Sequence, residues 1–441
     1  MSVRAVFLPP TSTASSRGGP KRVLAFTTPC RLVARLHRGF HRISSAHVDG
    51  TPATSSQPGL IFGLGQPGAW DEAGVGHPIV RYYLGDNEQR WQMWYSGRSS
   101  NCHDIDDLFP SSGSMGIAVS SDGVTWSRGI GPIAGARGEA RSKDVGRALT
   151  PNEDWWWHDT CHIHVSDVQI LSNSSVDGGI GVYWCFYSGG NYEKTELPPG
   201  LFPDQPIDSE PREGVTLRPG LAMSQDGRNF ARIEADHHTG ALFDVGKEGD
   251  WDRLFIGSPQ VVMAGPRDMR MYYHSYDVEQ QKYTVGVATS ADGFKWTKRG
   301  PIFSGGFKNS LDHDARGAAG RCVVRDIDTK KYFMFYEAVG SDFKRTIGLA
   351  VSDNGISGWE RHPDPILSPS EEIGAWDSGC VGTPWAVSMA QGKWRLYYSG
   401  RSTRGVGPWE GIGLALSDGC EVTAEGAPSL FKRRNPAIMD N

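Results

Sequence analysis

Cysteine is scarce and unpatterned. Seven occur in 441 residues, with no Cys-x-x-Cys and no spacing of metal-ligand type. Cys30 falls in a basic leader; Cys102, Cys161, Cys185, Cys322, Cys380 and Cys420 read as ordinary buried thiols of a reducing compartment. No apolar run approaches the ~20 residues a membrane helix needs, so the sequence offers no membrane partner. Acid is missing from one region altogether: residues 1–48 hold no Asp or Glu, against eight Lys or Arg and ten Ser or Thr. The chain is −5 overall and this leader is +8, so residues 49–441 carry −13. An acidic body excludes the basic footprint of nucleic-acid binding.

The leader also lacks the continuous apolar stretch of a secretory signal. Its Arg- and Ser-rich, acid-poor character is that of an organelle transit peptide over residues 1–50. The hydroxylated, Pro-containing first half points to the chloroplast. Arg31, Arg35, Arg38 and Arg42 share one helical face, which is the mitochondrial alternative.

What is present is repetition. SSDGVTW at Ser120 returns as SQDGRNF at Ser224, SADGFKW at Ser290, SDNGISGW at Ser352 and SDG at Ser417. Each turn closes a longer unit that opens on Trp70, Trp157, Trp251, Leu311 or Trp376, beside an aspartate. An aromatic strand follows (QMWYSGR, VYWCFYSGG, RMYYHSY, YFMFYEAV, RLYYSGR), then GIAVS, GLAMS, VGVATS, IGLAVS or IGLALS. Short β-branched and aromatic runs bounded by Gly, Asp and Ser are strands and hairpins. The Asp-Gly pair is expected to supply the positive φ angles of a tight hairpin. The aromatic after it is expected to pack between neighbouring sheets.

Five units of four strands predict an all-β chain: a five-bladed β-propeller, four antiparallel strands per blade, in one domain over 58–434. The serines lie 104, 66, 62 and 65 residues apart, and Gly/Pro-rich insertions near 135–155 and 190–218 account for the long first interval. A short element recurs as GLIF at Gly59, GPIF at Gly300, DPIL at Asp364 and APSLF at Ala427. Its first and last copies place both termini at the seam between blades five and one.

This repeated unit resembles the arabinanase/levansucrase/invertase superfamily, closest to glycoside hydrolase family 43, over about residues 58–434. The resemblance implies a hydrolase acting on O-glycosyl bonds, with three acids around the axis. Asp167, in Ser166-Asp167-Val168, is similar to the second of these. Where the first belongs the chain has His77-Pro78, and just before Pro259, where the third belongs, it has Gly257-Ser258.

In such a ring, the loops leading into the inner strands and the ends of the aromatic strands form one funnel. Asp71, Asp159, Asp252, Asp312 and Asp377 share the leading-loop position, either as a rim suited to a sugar or a cation or as a structural device bonded to the loop backbone. Residues that break fivefold symmetry are better site candidates, because a substrate is not fivefold symmetric. Ser96, Ser188 and Ser399 align with His274 and Glu337. The inner strands add His77, the set His158, His162, His164 and Asp167, and the cluster His313, Asp314 and Arg316.

Glycosidic cleavage needs a protonated and an ionised carboxyl ~5–9.5 Å apart. Asp167, Asp314 and Glu337 are therefore the expected catalytic acids. Asp71, His77, Asp159, His164, His274, His313, Arg316 and Asp377 are the expected substrate-binding residues. His162 and His164 read as hydrogen-bonding groups, so no metal and no cofactor is expected. Trp155–Trp157 offers either a sugar-stacking platform or inter-blade packing. The expected partner is a carbohydrate, held by an enzyme or by a catalytically silent propeller that binds a glycan or a protein.

Overall fold

A computed structural model describes residues 57–84, 89–100, 108–109, 111–129, 144–171, 181–205, 209–308, 310–326, 329–403, 407–417 and 431–435. The basic leader, Cys30, Cys102 and Cys420 lie outside these residues. The first strand, β1 (Leu60–Gly63), belongs to the last blade. Blade one is β2 (Gly74–Leu84), β3 (Gln89–Arg98), β4 (Ser114–Ser120) and β5 (Ser127–Arg128), with β6 (Arg147–Leu149) also on β4. Blade two is β7 (His162–Leu171), β8 (Val182–Gly190), β9 (Leu217–Ser224) and β10 (Ala231–Ile233). Blade three is β11 (Gly257–Gly265), β12 (Asp268–Asp277), β13 (Lys282–Ser290) and β14 (Thr297–Phe303). Blade four is β15 (Ala318–Arg325), β16 (Tyr332–Val339), β17 (Arg345–Ser352) and β18 (Glu360–Arg361).

Blade five is β19 (Cys380–Ser388), β20 (Trp394–Arg401) and β21 (Gly411–Ser417), and both β1 and β22 (Phe431–Arg433) pair with β21. Every pairing within the blades is antiparallel. The inner strands β2, β7, β11, β15 and β19 follow one another around the axis, and β19 packs back on β2. This is the five-bladed β-propeller that the repeats predict. Among the described residues one short 3-10 turn, Ala390–Gly392, is the sole helical element, and no helix is long and apolar enough to cross a membrane.

The repeated turn works differently from a tight two-residue hairpin. Only its glycine is left-handed (φ 74, 71, 82 and 73° at Gly123, Gly227, Gly293 and Gly355), while the aspartate keeps negative φ. The Asp122 carboxylate instead accepts the amides of Val124 and Thr125, and Ser120 Oγ accepts those of Asp122 and Gly123. Side-chain acceptors thus mimic backbone turns. At Asp226 burial pushes the carboxyl up, but the amides of Asn229 and Arg228 outweigh it and hold the pKa down at about 2.

The turn is also a latch between blades. Gly123 O accepts Tyr397 Oη of blade five, Gly227 O accepts Trp94 Nε1 of blade one, and Gly355 O accepts Tyr272 Oη of blade three, each at 2.9 Å. Trp126 then meets Tyr397 edge-on, as expected for an aromatic between sheets.

A second fivefold device lies under the mouth. Tyr95, Tyr273, Tyr336 and Tyr398 donate their hydroxyls to Asp71, Asp252, Asp314 and Asp377 at 2.9, 2.9, 2.7 and 2.9 Å, and Tyr187 faces Asp159. A cation from the outer part of each blade closes the unit: Arg128, Arg232, Lys298, Arg361 and Arg433, at 2.7, 2.7, 2.8, 3.2 and 2.8 Å. The residue before each aspartate stacks on the same tyrosine ring: Trp70, His158, Trp251, His313 and Trp376.

This corrects the register of blade four. The aspartate equivalent to Asp71 is Asp314, with His313 in the tryptophan's place. Asp312 takes the other arm of Arg361, at 2.9 Å, and accepts the Phe307 amide at 3.3 Å, without a tyrosine partner among the described residues.

The glycine of each GIAVS-type strand is required by that stack. A Cβ on Gly286 would lie 2.3 Å from Trp251 Cζ2, and one on Gly348 2.4 Å from Tyr336 Cζ. Gly286→Ala is expected to cost about 1–3 kcal/mol as overpacking and to lower Tm by several degrees. Gly265→Ala, whose Cβ would have nothing nearer than 3.8 Å, serves as the control. Equal melting curves for the two variants would overturn this account.

Candidate axial site

The leading-loop aspartates do not rim a funnel. Asp71, Asp159, Asp314 and Asp377 are buried in the units just described, so an acid ring at the mouth is replaced by internal scaffolding. His313 belongs to the same scaffolding, with Nδ1 against Pro363 O at 3.1 Å. Arg316 lies over the Phe343 ring at 4.0 Å and donates to Gly200 O in the second insertion.

The polar residues that do converge sit deeper, where each inner strand bulges. The register skips between Gly76 and Ile79, Val165 and Asp167, Gly257 and Gln260, Ala318 and Arg321, and Gly382 and Trp385. At three of these bulges a non-glycine residue ahead of a proline takes positive φ: His77 at 51°, Ser258 at 50° and Thr383 at 43°. Such strain persists only where the surroundings over-determine it. Bulges re-aim side chains, here towards the axis.

His77 Nδ1 is hydrogen-bonded to His164 Nε2, and the two rings meet edge to face at 4.3 Å. The His77 amide donates to Ser399 Oγ at 2.8 Å, and Ser399 Oγ pairs with Thr383 Oγ1. The Thr383 amide donates to Glu337 Oε2 at 2.9 Å, while Arg345 holds the other carboxylate oxygen. His77, Ser399, Thr383 and Glu337 therefore form one hydrogen-bonded chain across blades one, five and four.

His274 and Arg321 complete the ring. Burial pushes His77 down to about 3, with help from the Arg321 charge and then His274. Burial likewise holds His274 and His164 well below the usual imidazole range. Arg321 is the next cause at His274, while at His164 the imidazoles of His77 and His162 come before it. All three rings are neutral at neutral pH.

Asp167 is placed apart from this chain. It accepts Arg81 at 2.6 Å, Gln169 at 2.7 Å and the Val261 amide at 3.1 Å, all from blades one to three. Burial raises its pKa, against Arg81, Gln169 and the Val261 amide. Asp167 and Glu337 share no hydrogen-bonding partner, and Asp314 joins neither.

The chamber is roofed by apolar side chains. His77, His164, His274, Arg321 and Glu337 are 2–7% exposed. The connection between β3 and β4 and the second insertion both contribute to a cluster over the mouth that includes Leu108, Phe109, Leu201, Phe255, Tyr276 and Tyr283. Phe109 stacks on His162 and meets Phe255 edge-on, and Phe255 covers His274. On the other side Trp409 is fully buried, and a Cβ on Gly76 would lie 2.7 Å from it.

An open cleft of about 170 Å³ lies instead between blades one and two, against Trp70, Ser112, Arg147, Pro151, Cys161 and His162. In the same leading loop Trp157 is buried, Trp156 lies against it at 4.9 Å, and Trp155 is 87% exposed. The Trp run divides, two rings packing and one facing solvent.

Arg321, Arg345, Thr383 and Trp409 were not anticipated. One signal was available: Arg321 interrupts the apolar run AAGRCVV of an inner strand. In register it stands where Pro78, Pro259 and Pro384 stand in other blades.

No family model and no curated protein matches the chain. Solved structures do. A glycosyl hydrolase from Bacteroides ovatus superposes with TM-score 0.52 at 14% identity, covering 86% of this chain and 97% of that one. A member of the mannoside phosphorylase family that contains hydrolases targeting β-1,2-mannosidic linkages in Candida mannan gives 0.51 at 14%, covering 84% and 98%. A thermostable family-43 glycoside hydrolase gives 0.51 at 16%, covering 83% and 99%. At these identities the shared property is the fold, that of the five-bladed glycoside-hydrolase propellers.

Proposed function

We propose that this chain is a carbohydrate-binding propeller on a glycoside-hydrolase frame, without acid–base turnover of glycosides. One observation carries the reading: the ring that would hold a catalytic pair presents His77 and Ser258, and the inner strands supply a single carboxylate, Asp167. Glu337, on a second strand, is neutralised by Arg345 and the Thr383 amide. A hydrolase needs two carboxyls facing one bond. Here each is committed to its own cation.

A glycan has a better reception at the cleft between blades one and two. Ser112 and Arg147 offer hydroxyl and guanidinium donors there, and the exposed Trp155 follows Pro151 in the same loop. An exposed indole on the loop that supplies the cleft's Pro151, together with polar donors in the cleft, is a pairing that suits a sugar face.

The enzyme reading keeps one favourable observation, the Asp167 carboxyl raised by burial, since a general acid needs that property. A glycan panel separates the two. Wild type is expected to bind without releasing reducing sugar. Trp155→Ala is expected to weaken binding roughly tenfold, the worth of one aromatic contact, with Tm unchanged. Turnover by wild type that Glu337→Gln or Asp167→Asn abolishes would overturn the silent reading.

A further inference from the structure

Among the described residues, Arg321 is a buried charge with no explanation in the packing around it. It is 3% exposed, and its Nε, Nη1 and Nη2 have no hydrogen-bond partner among the described residues. Buried guanidinium groups are ordinarily paired, because an isolated buried charge is too costly to keep. The carboxylates that might neutralise it are engaged elsewhere: Glu337 by Arg345, Asp167 by Arg81. The one group that favours its charged form is the adjoining Cys322 thiol. Burial pushes that thiol's own pKa up, so it carries no charge at neutral pH.

Deprotonation offers no escape. Even with its pKa lowered by burial to about 9, Arg321 stays protonated at neutral pH. Its neighbours His77, His164 and His274 are held uncharged by their burial and by its field. The centre of the ring is therefore a fixed positive charge with no counter-charge.

Further buried polar atoms in the same ring also lack partners: Ser258 Oγ at the bulge of the adjoining blade, and the Nδ1 atoms of His164 and His274. The Ser258 hydroxyl offers one O–H, and His164 offers its Nδ1–H when its Nε2 accepts from His77 Nδ1, while the single N–H of His274 is engaged by the Gly257 backbone. A guanidinium with such donors is an anion receptor. The cover of Phe109, Phe255 and Trp409 excludes a sugar-sized guest and suits a small one.

We propose that the axial chamber is a binding site for one small inorganic anion of halide type, held by the unpaired Arg321 guanidinium, with the Ser258 hydroxyl and His164 Nδ1–H as further donors. This goes beyond the carbohydrate reading and stands whether or not the cleft binds a glycan. Its role is structural: the anion supplies the counter-charge that the five blades do not.

The test compares melting of the full-length chain in sodium bromide and in sodium gluconate at equal ionic strength. Bromide is expected to raise Tm by roughly 3–8 °C, saturating with concentration as linkage to a single site requires. Arg321→Met removes the charge at similar volume, and its Tm is expected to be indifferent to bromide. A bromide-soaked crystal is expected to show an anomalous peak among His77, His164, His274 and Arg321. A wild-type Tm independent of bromide, a bromide response retained in Arg321→Met, or a peak found only at surface positions as an adventitious ion would each overturn the assignment. Should Arg321→Met fail to fold, the crystal peak and the wild-type titration decide the matter alone.

Discussion

Lowering the pH from 7 to 5 in halide-free buffer is expected to remove about 2 kcal/mol of folding stability through His77 alone, with His164 and His274 adding to the loss in the same direction. The source is three imidazoles, His77, His164 and His274, that burial and mutual repulsion keep neutral in the folded ring. In the unfolded chain each takes a proton near pH 6.5. In the folded chain His77 resists until about 3, and the other two are also held well below their ordinary value.

A folded pKa below the unfolded one gives a contribution fully present above about pH 6.5 and lost progressively as the pH falls. Each imidazole contributes a slope of about 1.4 kcal/mol per pH unit below that point. Urea unfolding at half-unit intervals checks this, and a flat midpoint between pH 7 and 5 would refute it. Bound halide would make protonation easier in the same chamber, so the acid loss is expected to be smaller in bromide.

Asp314→Ala is expected to act on folding rather than on any chemistry. The side chain accepts Tyr336 Oη at 2.7 Å and Arg361 at 3.2 Å with no exposed surface. Removing it leaves a buried hydroxyl and a partly buried guanidinium short of a partner. Breaking a buried ion pair from one side costs about 3–5 kcal/mol, so Tm is expected to fall by roughly 6–15 °C. Asp312→Ala, two residues away, removes a solvent-accessible, partly exposed pair of the kind worth little and is expected to shift Tm by no more than about 2 °C. Should Asp314→Ala melt like wild type while a ligand-dependent property vanishes, Asp314 would belong to a site after all.

The contrast between these two aspartates shows what could be read in advance. The blades were legible because their recurring residues touch one another: Trp70, Asp71, Tyr95 and Gly116 meet in one unit, so their spacing is conserved between repeats as a matter of contact. Blade four breaks the wording, since His313 replaces the tryptophan between two aspartates. Spacing from Leu311 then selects Asp312, where stacking on Tyr336 selects Asp314. The alignment of Glu337 and His274 with Ser96, Ser188 and Ser399 was legible for the same reason, all five facing the bulges of the inner strands.

The closed roof was not legible. Tyr283 bonding to Leu201 O, or Phe109 meeting Phe255, joins segments with no common period. Arg321 was passed over because a lone arginine in a strand ordinarily reaches solvent along its stem, whereas this one has fully buried nitrogens.

The way the ring closes bears on how it is made. Leu60 of β1 pairs with Gly413 of β21, and Ser417 of the same strand pairs with Phe431. Four blades are built from consecutive segments and can form as they leave the ribosome. The fifth joins chain positions about 350 residues apart, a separation whose loop-closure entropy falls on the last step of folding. Until β21 has been made β1 has no partner, so closure of the ring follows the formation of the four blades that lie between them in the chain.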